Sequence, residues 1–168
     1  YDLGFVSTKE PFKKLFNQGM ILGHDGSKMS KSRGNVINPD DTVDAHGADA
    51  MRLYEMFMGP LDKAKPWSST GLQGCSRFIK KLWALLITNE GELSRQITDD
   101  EPTKETLRYL HNMIKRVSHN IDNLQFNTCV SEFMIFFNHI HGLETINIDI
   151  IKTFIVLMNP FMPHLAQE

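Results

Sequence analysis

Leu107, Leu110, Ile114, Val117, Ile121 and Leu124 follow one another at alternating intervals of three and four residues. An α-helix returns those positions to one side, so they write an apolar stripe that a neighbouring surface must cover. The flanking segments supply such surfaces. Ser68 or Ser69 is placed to cap a helix reaching about Thr88, with Leu72, Phe78, Ile79, Leu82 and Leu86 turned inward. Asn127-Thr128 reads as the cap of a further helix that buries Val130, Phe133, Met134, Phe137 and Ile140. A last helix over 148–158 is stopped by Asn159-Pro160, and the polar, acidic stretch 89–103 reads as a linker. Short connections between these helices predict an antiparallel helix bundle over 68–168.

Residues 1–67 have another character. Ser7-Thr8-Lys9-Glu10 is a capping box with Pro11 behind it, predicting a short helix through Phe12, Leu15 and Phe16 that ends near Asn17 to Gly19. Met20-Ile21-Leu22 reads as a short strand and Gly23-His24-Asp25-Gly26-Ser27 as a turn. Asn38-Pro39-Asp40-Asp41 caps a brief helix ending at His46-Gly47. A further helix over 48–58 buries Met51, Leu53 or Tyr54, and Phe57, and Gly59-Pro60 breaks it. The predicted fold is mainly α: a small α/β segment (1–67) followed by the helix bundle (68–168). Tyr1 opens the chain without an initiator Met, and Glu168 falls inside a helix starting after Pro163, so a piece of a longer protein is expected.

Composition narrows the function classes. No apolar run approaches a membrane span, and no secretory signal opens the chain, so neither a membrane protein nor a secreted one is expected. Cys75 and Cys129 stand far apart in apolar helical contexts, which predicts buried free thiols and a reducing, cytoplasmic setting. His139 and His141, two apart on one helix, point to different faces, and no metal site is expected. A net charge of −2 does not mark a nucleic-acid binder. The cations are nevertheless clustered: Lys9, Lys13 and Lys14, then Lys28, Lys31 and Arg33, then Arg77, Lys80 and Lys81, then Arg108, Lys115 and Arg116. Each cluster is by default a solvated face; together they can form a broken track for phosphates.

The sharpest chemical signal is Lys28-Met29-Ser30-Lys31-Ser32, followed at once by Arg33-Gly34-Asn35. Two lysines three positions apart, set among hydroxyls and closed by a glycine, suit a loop that wraps a polyphosphate. Standing alone, the pentapeptide reads as a solvated basic turn, as most short Lys/Ser runs are. It does not stand alone. This stretch resembles, letter for letter, the signature loop of the class I aminoacyl-tRNA synthetases. Asn35-Val36-Ile37-Asn38-Pro39-Asp40-Asp41, Gly47-Ala48-Asp49-Ala50 with Arg52, Phe126-Asn127-Thr128 and Pro160-Phe161-Met162-Pro163-His164 are similar to further elements of the enzymes for leucine, isoleucine and valine. Met56 to Leu61, Trp67, Gly71-Leu72-Gln73-Gly74, Arg77-Phe78 and the run Glu10 to Met20 resemble the leucine-specific branch in its bacterial form. The isoleucine or valine branch is the nearest alternative, and a non-catalytic tRNA-binding module is the rival from another class.

The resemblance implies activation of leucine with ATP and its transfer to a leucine tRNA. Lys28 and Lys31 would carry the catalytic charge. Met29, Ser30 and Ser32 would join them in binding ATP, which is a substrate accompanied by Mg in the complete enzyme, with no tightly bound cofactor. The family's His-Ile-Gly-His-like element, leucine pocket and editing domain are not in this sequence, so the piece is expected to be inactive alone. The helical part resembles the family's anticodon-binding domain, which in leucine enzymes meets the tRNA body. Arg77, Lys80, Lys81, Lys115 and Arg116 would contact phosphates there, and each can equally be plain surface. A monomer is expected. Asp49 is read either as stabilising its own helix start or as tRNA-related, Arg52 as its i,i+3 partner, and Trp67 as packing. Gly71 and Gly74 read as sites of close backbone approach.

Overall fold

The computed structural model describes residues 1–168 and is mainly α, with two small parallel sheets. In chain order the elements are β1 (Ile21–Leu22), a single 3₁₀ turn (Lys31–Arg33), α1 (Pro39–His46), α2 (Ala48–Phe57), β2 (Lys65–Pro66) and α3 (Ser69–Leu86). Then follow β3 (Ile97–Thr98), α4 (Lys104–Asp122), α5 (Phe126–Ile140), β4 (Ile146–Asn147), α6 (Ile148–Met158) and α7 (Pro163–Gln167). Strand β1 pairs in parallel with β2 (Ile21 opposite Lys65), and β3 with β4 (Ile97 opposite Ile146).

Local chemistry accounts for most boundaries. Asn38 accepts the Asp40 N–H at the start of α1, Ser68 accepts the Gly71 N–H at the start of α3, and Asn147 accepts from Asp149 and Ile150 at the start of α6. Gly47 ends α1 with φ of 86°, a backbone region that favours glycine. One boundary differs from expectation. Helix α5 begins at Phe126 after an uncapped Gln125, so Asn127 and Thr128 lie inside its first turn. The chain turns there through Leu124 in the left-handed region, φ 57°, and enters the helix directly behind that turn.

A second difference lies near the start. Residues 5–16 form no helix; the Thr8 hydroxyl donates to the Glu10 carbonyl, and Phe5, Phe12 and Leu15 are exposed. So short a helix gains little from propensity, and with Phe12 and Leu15 exposed and only Phe16 half-buried its apolar face meets too little surface in the chain to repay ordering it.

The core is one continuous cluster running from Ala50 to Met162. Leu53, Leu82, Met113, Val117, Val130, Phe133, Ile140, Phe154, Met158 and Met162 are fully buried in it. Phe133 meets the edges of Phe154 and Phe161, and Phe136 that of Phe154, at centroid distances of 5.0–6.2 Å. The stripe on α4 is rotated slightly from expectation. Its buried line is Thr106, Leu110, Met113, Val117 and Asn120, while Leu107, Ile114, Ile121 and Leu124 flank it half-buried. On α2, Leu53 and Tyr54 are buried and Met51 and Phe57 half-buried. Trp67 packs edge-on to Tyr54 at 5.0 Å, and the Tyr54 hydroxyl accepts the Ser68 N–H at 2.7 Å. A Cβ on Gly71 would come within 2.7 Å of Tyr54 Cε2, whereas one on Gly74 would meet nothing within 4 Å. Close approach is therefore real at Gly71 only.

Candidate functional site

Strand β1 delivers the chain into the lysine loop. The Gly23 N–H donates to the Ser27 carbonyl at 2.9 Å, and Leu22 bridges Lys28 antiparallel, so Lys28 leaves the base of a tight turn. Met29 is half-buried and packs on the core cluster, holding the loop down by its one apolar side chain. The chain then makes its 3₁₀ turn, and Gly34, at φ 65°, returns its N–H to the Lys31 carbonyl. Lys28, Lys31 and Arg33 are all exposed and none is in an ion pair, so three cations stand open to an anion. The Ser30 and Ser32 hydroxyls are hydrogen-bonded to each other at 2.8 Å, which commits one of their two protons.

Behind the cations lies a polar network. The Asp25 carboxylate accepts from the Ser27 hydroxyl at 2.7 Å and the Ser27 N–H at 3.1 Å, and from the Asn35 side chain. The Ser27 bonds, and then Asn35, hold its carboxyl down at about 2. The Asp-Gly-Ser run is the sequence signature of such an Asx turn; the part played by Asn35 has no local signature.

The helical candidates divide. Arg77, Lys80 and Lys81 on α3 and Lys115 on α4 are exposed and unpaired. Arg77 and Lys81, one turn apart, line a groove against Met134, Phe137 and Asn138 of α5, and Lys80 lies outside it. Arg116 is different: its Nη1 pairs with Glu132 Oε1 at 2.9 Å, and Glu132 is buried. Its first role is to satisfy that carboxylate, which the sequence reading missed because the two lie on different helices.

Asp49 and Arg52 do not pair with each other. The Asp49 carboxylate accepts the Leu165 N–H at 2.7 Å and meets His164 Nδ1 at 2.9 Å, while Arg52 Nη2 donates to the Pro160 carbonyl at 2.8 Å. Two motifs that are remote in sequence thus clasp each other. No three His, Cys, Asp or Glu side chains come together to hold a metal ion, and no helix is long and apolar enough to cross a membrane.

Comparison with known proteins places these features in a family context. The family described as tRNA synthetases class I (I, L, M and V) matches residues 5–68, and the anticodon-binding domain of tRNA ligase matches residues 103–168. The leucine–tRNA ligase of Chloroherpeton thalassium is 51% identical over all 168 residues, and that of Chlorobaculum tepidum 49%. The chain spans 21% of the length of either relative. Among solved structures, an Agrobacterium radiobacter LeuRS in a ternary complex with tRNA and LeuAMS superposes with a TM-score of 0.81 at 29% identity, covering 98% of this chain and 23% of that one. Mycobacterium tuberculosis methionyl-tRNA synthetase in complex with methionyl-adenylate shares the fold, with a TM-score of 0.69 at 16% identity over 89% of this chain and 36% of that one.

Proposed function

We propose, from the match of residues 5–68 to the class I tRNA synthetases and of the whole length to leucine–tRNA ligases, that this chain is the part of such a ligase that supplies the ATP-phosphate loop and a tRNA-binding helical surface. The observation that carries the proposal is 51% identity over all 168 residues with the two loop lysines exposed and unpaired. A tRNA-binding module that never meets ATP has no use for that loop.

In the proposed reaction the carboxylate of leucine attacks the α-phosphorus of ATP, and the bond to pyrophosphate breaks. Negative charge grows on the leaving pyrophosphate, and cations already in place lower the barrier because they need not reorganise. Lys28 and Lys31 take that role, with the loop's uncommitted backbone N–H groups and the one free hydroxyl proton of the Ser30–Ser32 pair as further donors. Residues of this segment bring no three His, Cys, Asp or Glu side chains together that would hold Mg. Residues 1–67 serve as the end of the catalytic domain. Residues 68–168 serve as an antiparallel bundle, a reading supported by the short turn between α4 and α5. Arg77, Lys80, Lys81 and Lys115 meet tRNA phosphates there. The two buried free thiols suit a cytoplasmic setting.

The test is made in a whole leucine–tRNA ligase carrying this segment. Lys31→Ala lowers the single-turnover rate of leucyl-adenylate formation by roughly 10²-fold or more, with leucine affinity little changed. Lys28→Ala acts in the same direction. A rate near that of the unsubstituted enzyme, with only tRNA affinity reduced, overturns the phosphate role.

A further inference from the structure

The side chains of Lys28 and Lys31 make no hydrogen bond or ion pair within the protein, so their placement depends on the backbone that carries them. Besides the packing of Met29, one side chain fastens that backbone by hydrogen bonds. Asn35 Oδ1 accepts the Ser30 N–H at 2.9 Å, between the two lysines. Its Nδ2 donates to the Ser27 hydroxyl at 2.9 Å and to Asp25 Oδ1 at 3.2 Å, with the Lys28 carbonyl at 3.4 Å. Only this orientation of the amide works, because the other would set the NH₂ against an N–H and the carbonyl against a carboxylate. We propose that Asn35, anchored on Asp25 and Ser27, is a positioning residue for leucine activation: it closes the base of the lysine loop and holds Lys28 and Lys31 in one arrangement, ready for the polyphosphate.

Two further features support this role, which rests on the assignment of the lysine loop to ATP. Gly23 lies so close that a Cβ there would come within 2.8 Å of both Asn35 Nδ2 and Asp25 Oδ1. The turn before the loop is thus shaped to admit the network. Asp25 is also the carboxylate nearest in sequence to the lysines, and its acceptor sites are taken by Ser27 and Asn35. It forms no ion pair with Lys28 or Lys31, which leaves both charges for the substrate. Removing Asn35 frees the loop base and takes one donor from the Asp25 carboxylate, which keeps its two bonds from Ser27. Small misplacements of such groups are costly to a rate.

The experiment compares Asn35→Ala, Asp25→Ala, Asp25→Asn and Lys31→Ala in the whole ligase. Leucyl-adenylate formation is followed by single turnover, and transfer of leucine from preformed adenylate to tRNA is followed separately. Asn35→Ala should slow adenylate formation by about 10-fold or more, with transfer changed by no more than about twofold. Asp25→Ala should act likewise, and Asp25→Asn, which keeps an acceptor oxygen, should recover most of the rate. Tryptic cleavage after Lys28, Lys31 and Arg33 should quicken in Asn35→Ala. If Lys31→Ala is slow and Asn35→Ala is near wild type, the positioning role is wrong and the ATP assignment stands. If both steps fall together in Asn35→Ala, the residue merely supports the fold and the positioning role is again wrong. If Lys31→Ala itself leaves activation unchanged, the ATP assignment fails first.

Discussion

Asp49 and His164, 115 residues apart, meet with carboxylate Oδ1 2.9 Å from imidazole Nδ1. The same carboxylate takes the Leu165 N–H at 2.7 Å, so a residue in the first turn of α2 caps the start of α7. Arg52, on the next turn, holds the Pro160 carbonyl just before α7. Acid and base on one helix therefore grip the N–H and C=O groups of one returning segment.

From this grip we expect Asp49→Ala to lower the stability of the chain by about 1–2 kcal/mol, the usual cost of losing a capping acceptor. Asp49→Asn keeps one acceptor and should lose less. His164→Ala should lose least, because that ring is largely exposed and the Leu165 N–H keeps its partner. Urea denaturation of the three variants checks the ranking, and an Asp49→Ala midpoint equal to wild type would contradict it.

Binding of tRNA to the helical part should run mainly through phosphates. Affinity for a labelled leucine tRNA should fall steeply with salt and depend little on the anticodon. Replacing Lys80 and Lys81 together should reduce the slope of log affinity against log salt by about two units at most. Arg116→Ala should behave otherwise. It leaves Glu132 buried without its partner, and it should cost stability, about 1–3 kcal/mol, more than it changes the salt slope. Titrations at several salt concentrations, paired with denaturation curves, separate the two classes of cation. A salt-insensitive affinity, or one lost when only the anticodon changes, rules out phosphate contact as the mode.

The thiols give a pH prediction. Burial pushes both Cys75 and Cys129 up to about 11, so each stays protonated in the folded chain well above neutrality. In the unfolded chain a thiol ionises near pH 8.5. Between those values the folded state holds protons that the unfolded state has lost, so stability should decline as pH rises from about 9 to 11. Buried Tyr54, also shifted upward, acts in the same direction, and Lys65, shifted downward by desolvation, opposes it. Replacing both cysteines by Ala should flatten part of the decline. At pH 8 a thiol reagent should react only as fast as the fold opens, and prompt reaction of the native chain would refute the burial.

Reading the residues in order located what local chemistry decides. Caps at Asn38 and Ser68, the stop at Asn159-Pro160 and the apolar faces of α3, α5 and α6 follow from spacing and side-chain type. Three things were not legible. The capping box at Ser7 has every local feature of a helix start, yet Phe12 and Leu15 behind it find no partner surface. Ile97, in a stretch whose other large apolar residue is Leu93, carries no strand pattern; only its partner Ile146, far along the chain, makes it one. Asp49 and Arg116 each have a plausible local role and are instead committed to remote groups, and Asn35 has no local signature; helical or strand periodicity reveals none of these contacts. The loop lysines were legible because their chemistry lies within five residues.

The pairing of β3 with β4 also bears on the order in which this chain can assemble. It joins Ile97–Thr98 to Ile146–Asn147, and the Asn147 side chain adds a bond to the Asp100 carbonyl at 3.0 Å. Helices α4 and α5 lie wholly between those two strands. Bringing the strands together from an unstructured chain would mean closing a long loop for very few hydrogen bonds, a poor exchange in entropy. Once α4 and α5 have folded back on one another, the strand ends are already near and the closure costs little. The helical hairpin is therefore expected to form first and the strand pair to lock afterwards. The Ile146 N–H, bonded to the Gln96 carbonyl at 2.7 Å, is the amide whose protection from exchange would report that late event.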